Sequence, residues 1–146
     1  MIKSTANSIF NIPSPITKVE TSWSKKYNVE FSIKRDDQIH PIISGNKWRK
    51  LSGILNRFEG GDINTIETYG GAYSNHLIAT AAVSAHFNIS CTGFVMGERP
   101  KILNAVLESC LTFGMKLVFL NRVEYRKIKY EYRFSNGTLT IPEGGF

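Results

Sequence analysis

Segments with helical and strand patterning alternate along most of this chain. Three apolar runs of strand length, at residues 63–69, 89–96 and 116–120, are separated by segments whose apolar residues recur every three or four positions. Such alternation favours parallel strands joined by helical crossovers, because a helix packs back onto a right-twisted sheet in one hand only. We therefore predict an α/β fold with three αβα layers around a mostly parallel, twisted sheet.

Periodic apolar residues predict four helices. They cover about residues 46–58, 75–85, 101–113 and, more weakly, 123–134. Asn46 is the expected N-cap of the first helix, because its short amide can accept a bond from the first turn. The apolar face of that helix is expected to consist of Leu51, Ile54, Leu55 and Phe58. The turn-like pair Asn136-Gly137 precedes a final strand at 138–142.

The N-terminal part of the chain has a different character. Residues 1–23 are expected to form an extended arm, because Pro13 and Pro15 block regular pairing and helix formation. Residues 29–35 alternate apolar and polar side chains, which is typical of a half-buried or edge strand.

The excess of basic residues is spread along the chain, which carries a formal net charge of +6. Its densest cluster, residues 126–133, interleaves basic and aromatic side chains as sites for single-stranded nucleic acid do. A solvated helix end is the favoured interpretation, so we expect no nucleic-acid partner. No stretch is long and apolar enough to span a bilayer, and we expect a cytoplasmic protein that does not contact a membrane.

The two cysteines, Cys91 and Cys110, lie in apolar segments. Their surroundings lack the Cys-x-x-Cys and Cys/His spacings of metal and redox sites. We expect two buried free thiols and no metal site.

A glycine-rich turn follows the strand at 63–69 and leads into the second helix through Gly70-Gly71-Ala72-Tyr73-Ser74-Asn75-His76. A strand, a glycine turn and a helix N-terminus bring free N–H groups and the positive helix end to one point. The turn lacks the glycine patterns of dinucleotide and phosphate loops, so a smaller anionic group suits it better than a nucleotide. The alternative is a tight turn without a ligand, in which Ser74 and Asn75 cap the helix and His76 is a packed or solvent-facing ring.

Lys47 lies near the start of the first helix, in the sequence Ser44-Gly45-Asn46-Lys47. Most lysines are solvent-exposed side chains without a chemical role. Here the neighbouring Arg49 and Lys50, together with a helix N-terminus, are expected to lower the pKa of the Lys47 amine and make it nucleophilic. Among the residues of the glycine turn, His76 is expected to titrate near neutrality.

Ordered motifs lie at residues 33–37, 40–47, 70–77, 114–115, 122–126 and 141–145. Together these motifs resemble one enzyme family, that of 1-aminocyclopropane-1-carboxylate deaminase and D-cysteine desulfhydrase. That family uses pyridoxal 5'-phosphate on the tryptophan-synthase β-like fold, known as fold type II. The resemblance implies that residues 46–141 form the small α/β domain of such an enzyme. Residues 1–45 are then an arm and strand of an incomplete large domain, and residues 142–146 begin the return to it.

The resemblance also implies roles for four residues. Lys47 is expected to carry the cofactor covalently and then act as the base at the substrate carbon. Asn75 is expected to bind the phenolic oxygen of the cofactor. Ser74, Asn75 and the backbone amides that follow are expected to receive the substrate carboxylate. His76 resembles the desulfhydrase-like members, since strict deaminases tend to carry glutamine at this position.

The implied reaction converts a small amino acid of the D-cysteine or aminocyclopropane-carboxylate type to a 2-oxo acid and ammonia. Members of the family continue well beyond the Pro-Glu-Gly-Gly segment, into the parts that hold the cofactor phosphate and the pyridine nitrogen. We therefore expect weak or no activity from this chain alone, and either a homodimer or a missing C-terminal half. The alternatives are a non-catalytic remnant, an anion-binding or interaction module, or one half of a split enzyme.

Glu67 departs from the pattern of its segment. It places a carboxylate within a predicted central parallel strand whose neighbours are apolar, and an unpaired buried carboxylate is costly.

Overall fold

The protein contains seven strands and five helices within residues 9–59 and 61–145, the parts of the chain that its computed structural model describes. The side chains of residues 55–59 lie outside this description, as do all of residues 1–8. In chain order the elements are β1 (Ile16–Val19), α1 (Ser22–Tyr27), β2 (Phe31–Lys34), a 3-10 turn (Asp36–Gln38), α2 (Gly45–Glu59), β3 (Thr65–Gly70), α3 (Asn75–His86), β4 (Ser90–Met96), α4 (Ala105–Thr112), β5 (Lys116–Leu120), α5 (Arg122–Ile128), β6 (Arg133–Ser135) and β7 (Thr138–Ile141).

Five of these strands form one sheet in the order β5-β4-β3-β7-β6. Four strands, β5, β4, β3 and β7, are parallel to one another. Strand β6 lies at the edge of the sheet and pairs antiparallel with β7. The central strand is β3, whose residues pair with β4 on one side and β7 on the other. The predicted mostly parallel sheet is confirmed.

Helices cover both faces of the sheet. On one face α3 contacts β3 and β4, while α4 packs beside it against β5. On the other face α5 contacts β4, and its buried Tyr125 meets Tyr69 of β3 edge-on, with ring centroids 6.2 Å apart. Because neighbouring residues of a strand point to opposite faces, Thr68 and Gly70 face α3 while Tyr69 faces α5. The three-layer αβα arrangement follows from this division.

The core contains the side chains that the apolar patterning selected. Ile66, Leu77, Val95 and Leu107 are all buried. Of the predicted apolar face of α2, Leu51 and Ile54 are buried, whereas the side chains of Leu55 and Phe58 lie outside the described residues.

Both cysteines are free and buried, as expected. Burial raises the pKa of the Cys91 thiol to about 12 and that of Cys110 to about 11. The neutral thiol is therefore the dominant form of each at neutral pH.

The N-terminal part is more regular than predicted, and the expectation of an arm without regular pairing or helix was wrong for residues 16–23, whereas residues 1–8 lie outside the described part of the chain. Strands β1 and β2 form a separate antiparallel pair, and α1 follows a capping box at Thr21. Pro13 and Pro15 precede β1, where a missing N–H breaks no strand pairing. The carbonyl of Pro15 even accepts a bond from Arg35 N at 2.8 Å. Residues 29–35 contain the expected edge strand, β2, and its Ile33 is exposed.

Two predicted helices are shorter in the structure. Helix α4 begins at Ala105 rather than near residue 101, because the side chain of Asn104 accepts a bond from Leu107 N. Helix α5 ends at Ile128, and the residues near 134 that were expected to be helical lie in β6. The Asn136-Gly137 pair forces this outcome, since both residues have positive φ angles and join β6 to β7 as a tight hairpin.

Within the described residues, the helices are too short or too polar to cross a membrane.

Gly70 allows α3 to approach the end of β3 closely. A Cβ atom built on Gly70 would lie 2.7 Å from Ser74 Cβ and 2.8 Å from Leu77 Cγ. Real side chains do not come this near, so β3 and α3 would have to separate to admit a methyl group. The neighbouring Gly71 has no heavy atom within 4 Å of its corresponding position. These two glycines therefore offer a matched test of the close approach.

We expect Gly70→Ala to lower the free energy of unfolding by about 2 to 3 kcal/mol, because the added methyl group overpacks the β3–α3 contact. Gly71→Ala should change it by less than about 0.5 kcal/mol. Urea unfolding followed by circular dichroism measures both. Equal effects of the two substitutions would contradict the close contact at Gly70.

Candidate functional site

Lys47 lies in the first turn of α2. Its backbone N–H donates to Ser44 O at 3.1 Å, and its side chain is half-buried. Burial lowers the pKa of the Lys47 amine, and the charge of Lys50 lowers it further. The expected direction is confirmed, although burial is the larger cause. Since α2 already begins at Gly45, Asn46 belongs to the helix and is not its N-cap, contrary to the prediction.

Ser74 caps α3. Its hydroxyl accepts bonds from His76 N at 3.2 Å and Leu77 N at 3.4 Å. Capping was the alternative role considered for this residue, and it occupies two of the amides expected to receive a carboxylate. Asn75, the first residue of α3, is exposed and has no such structural role in the described contacts.

A cavity of about 400 Å³ brings Lys47 and Asn75 together. Its walls come from the 3-10 turn, the segment before α2, and the starts of α2 and α3. Asp37, Ser44 and Ile78 also line it. Two of the four candidate residues thus open on one space, although 28 positions separate them in the sequence. Ser74 and His76 are not among the residues that line it.

His76 is buried beneath the turn, with 1% of its surface exposed. Its Nε2 lies 2.8 Å from Thr68 Oγ1, and the Thr68 hydroxyl donates to Ile141 O at 3.1 Å. Burial lowers the pKa of His76 to about 4, with further lowering by the charges of Lys47 and Lys50. The expectation that this ring titrates near neutrality was wrong, because desolvation disfavours the imidazolium.

The segment after β7, residues 142–145, lies beside His76. Lys50 Nζ donates to Gly144 O at 2.7 Å, which ties the segment to α2. Glu143 ties it to the opposite side of the sheet through Lys129 Nζ, at 2.9 Å from Glu143 Oε2. Sequence reasoning named Lys50 only as a charge beside Lys47, and it missed Thr68 and Lys129 as parts of this region. Of these two, only Thr68 carried a signal, as a polar residue in an apolar strand on the same face as Gly70.

Glu67 is less isolated than its position in the sequence suggested. It is half-buried, and Thr140 of the neighbouring strand β7 donates to its Oε2 at 3.3 Å. The expected unpaired buried carboxylate is therefore not present, because the sheet register places Thr140 directly beside Glu67.

Comparison with known proteins agrees with this arrangement of motifs. No family model matches the chain. The putative 1-aminocyclopropane-1-carboxylate deaminase of Thermotoga maritima is 33% identical over 142 residues, which cover 91% of this chain and 45% of that protein. The bifunctional mitochondrial D-cysteine desulfhydrase/1-aminocyclopropane-1-carboxylate deaminase of Arabidopsis thaliana is 29% identical over 130 residues, covering 85% of the chain and 32% of that protein.

A solved structure also matches the fold. The crystal structure of an ACC deaminase homologue superposes with a TM-score of 0.67 at 21% identity, covering 92% of this chain and 43% of that one. The fold is thus the α/β architecture found in that homologue.

In sequence, the chain is similar to proteins named 1-aminocyclopropane-1-carboxylate deaminase and D-cysteine desulfhydrase, which confirms the resemblance of the motifs. It spans less than half the length of these relatives.

The buried neutral His76 makes stability depend on pH. Its folded pKa of about 4 lies below the ordinary 6.5, so only the unfolded chain takes up the proton as the pH falls between these values. We expect the free energy of unfolding to be highest above pH 6.5 and to fall by up to about 3 kcal/mol towards pH 4.

Urea unfolding at several pH values tests this expectation, with His76→Gln as the comparison. The variant retains His40, whose pKa is also lowered by burial, so the difference between the two proteins isolates His76. The same pH slope in both proteins would contradict the assignment.

Proposed function

We propose that this chain is part of a pyridoxal-phosphate-dependent enzyme that degrades a small amino acid, and that Lys47 is the residue that carries the cofactor. The observation that supports this most strongly is the shared cavity of Lys47 and Asn75. An amine with a lowered pKa and an amide with donors and acceptors face one space, at the two positions that the family motifs single out.

The residues present fit one end of this cofactor. An aldehyde carbon requires a neutral amine, and partial burial of Lys47 favours the neutral form. A ring oxygen beside that aldehyde requires a hydrogen-bond donor, which the exposed amide of Asn75 supplies. When bound, the cofactor stores the electron pair released at a substrate carbon.

We propose separate roles for Lys47 and for the N-terminus of α3 in the reaction. We propose that the free Lys47 amine takes a proton from the substrate carbon, because its lowered pKa favours the basic form. The substrate carboxylate is proposed to lie at the N-terminus of α3, beside Ser74, Asn75 and His76. Because the Ser74 hydroxyl already accepts from two amides, it can only donate its proton to such a carboxylate.

For the substrate, we propose a small amino acid of the D-cysteine or 1-aminocyclopropane-1-carboxylate type, the compounds named for the relatives. The products are a 2-oxo acid and ammonia, with hydrogen sulfide in addition if the substrate is a cysteine.

The chain matches less than half the length of each relative, and this partial match affects the activity that we expect of the chain. We propose that residues 46–141 act as a small α/β domain and that groups beyond the matched region complete the site in the relatives. The chain by itself is then expected to hold the cofactor weakly and to turn over little substrate.

Covalent labelling tests the role of Lys47. We expect pyridoxal phosphate followed by borohydride to modify Lys47 ahead of the other lysines, because partial burial makes its amine the more nucleophilic one. Lys47→Ala should lower the labelling by at least about tenfold. Peptide mass spectrometry locates the modified residue.

Lys50→Ala is the matched control, since it removes an amine one turn further along α2. Labelling of Lys47 should persist in this variant. Uniform labelling of many lysines, or full labelling of Lys47→Ala, would refute the assignment.

A further inference from the structure

A second cavity adjoins the candidate site along the same face of α3. Its volume is about 400 Å³, and Pro41 and Ile42 line it as they line the first cavity. Helix α3 contributes Ile78 to the first cavity and Ala82 and Ala85 to the second, at the spacing of residues that share one helix face. Among the described residues, none of the four candidate residues lines the second cavity. It is therefore a neighbour of the candidate site and not a part of it.

The walls of the second cavity are apolar except at two points. The side chains of Ile9, Ile43 and Phe113 contribute apolar surface beside the two alanines. Among its described lining residues, the only side-chain heteroatoms are the ring nitrogens of His40 and His86. A cavity with apolar walls and a few polar groups is the usual form of a small-molecule site.

The backbone that follows His40 fixes the position of its ring proton. His40 Nδ1 accepts bonds from the backbone N–H groups of Ile42 at 3.1 Å and of Ile43 at 3.0 Å. Because these groups only donate, Nδ1 carries a lone pair, and the proton of the neutral ring is on Nε2. Partial burial lowers the pKa of His40, and the charge of His86 lowers it further, which favours this neutral form. His40 Nε2 is bonded to no described group and is not fully buried, so its N–H is a free donor.

A metal ion does not suit this pair of imidazoles. Coordination through His40 Nε2 would move the ring proton to Nδ1, where it would face two backbone N–H groups. The described residues also contain no group of three side chains that could hold a metal ion. The two rings are better suited to donate hydrogen bonds than to ligate a metal.

The donors and the walls together define the class of ligand. Two imidazoles beside one cavity suit a group that offers two acceptor oxygens, and the apolar walls suit a hydrocarbon chain or ring. No acidic side chain is among the described lining residues, so none of them repels an anion. A small apolar carboxylate meets these requirements.

We propose that the second cavity binds a small apolar carboxylate, such as an aryl or branched aliphatic acid. His40 donates its Nε2–H to one carboxylate oxygen, and the ring of His86 donates to the other. The hydrocarbon part of the ligand packs against Ile43, Ala82 and Phe113. This site does not depend on the cofactor role proposed for Lys47.

Titration of the uniformly 15N-labelled chain with phenylacetate at pH 7.5 tests the proposal by NMR. We expect saturable shifts of the amide resonances of Ile43, Ala82 and Ala85. Phenethylamine has the same ring and the opposite charge, and it should bind at least about tenfold more weakly. Acetate, which lacks the ring, should also bind at least about tenfold more weakly.

Two substitutions change the cavity itself. Ala85→Leu fills it from an exposed position of α3 and should weaken the binding of phenylacetate by at least about tenfold. Ala105→Leu, the same change at an exposed position of α4 outside the cavity, is the matched control and should bind phenylacetate as the unaltered chain does. His40→Asn keeps a side-chain acceptor for the backbone amides that follow but removes the donor, and it should weaken binding by about fivefold or more.

Equal binding of phenylacetate and phenethylamine would overturn the proposal. Full affinity in Ala85→Leu or in His40→Asn would do the same, as would an equal loss in Ala105→Leu.

Lys47→Ala separates this proposal from the proposed function. Phenylacetate in the second cavity should bind this variant as it binds the unaltered chain, because Lys47 does not line that cavity. Loss of binding would place the probe in the candidate site and overturn the proposal. The labelling of Lys47 by pyridoxal phosphate is measured without phenylacetate, so its failure refutes the cofactor role alone.

Discussion

The close contact between the end of β3 and the start of α3 is the constraint on which the rest of the structure depends. Gly70 leaves no room for a side chain, and Ser74 and Leu77 occupy the space that one would need. This contact sets the distance between the central strand and the helix that covers it. It also places Asn75 near the carboxyl end of the central strand, where the cavity shared with Lys47 opens.

A second set of contacts joins the elements around the carboxyl end of β3. Thr68 of β3 connects the ring of His76 to the backbone of β7, and Lys50 connects α2 to the segment that follows β7. These are hydrogen bonds between residues 8, 73 and 94 positions apart. The two bonds of Thr68 are buried, so each of them matters more than it would on the surface, whereas the bond of Lys50 is partly buried.

Particular residues show why some expectations failed. The apolar period of 123–134 resembles a helix, yet the Asn136-Gly137 turn recruits residues 133–135 into a hairpin with β7. Pairing across that turn outweighs a weak local preference for helix. The prolines near residue 15 indicated an irregular arm, but their position just before β1 leaves the strand intact. In both cases the strand that decided the structure lies outside the segment on which the prediction was based.

The sequence by itself determined the order of strands and helices from α2 to α5, the three-layer fold and the family resemblance, because these depend on apolar period and on local motifs. The protonation of His76, the pairing of Glu67 with Thr140 and the cavity joining Lys47 to Asn75 were decided only by the tertiary structure. Desolvation and hydrogen bonding depend on which distant residues surround a group. Lys47 could be selected from its neighbours in the chain, but its burial and its proximity to α3 arise only when β3, α2 and α3 pack together.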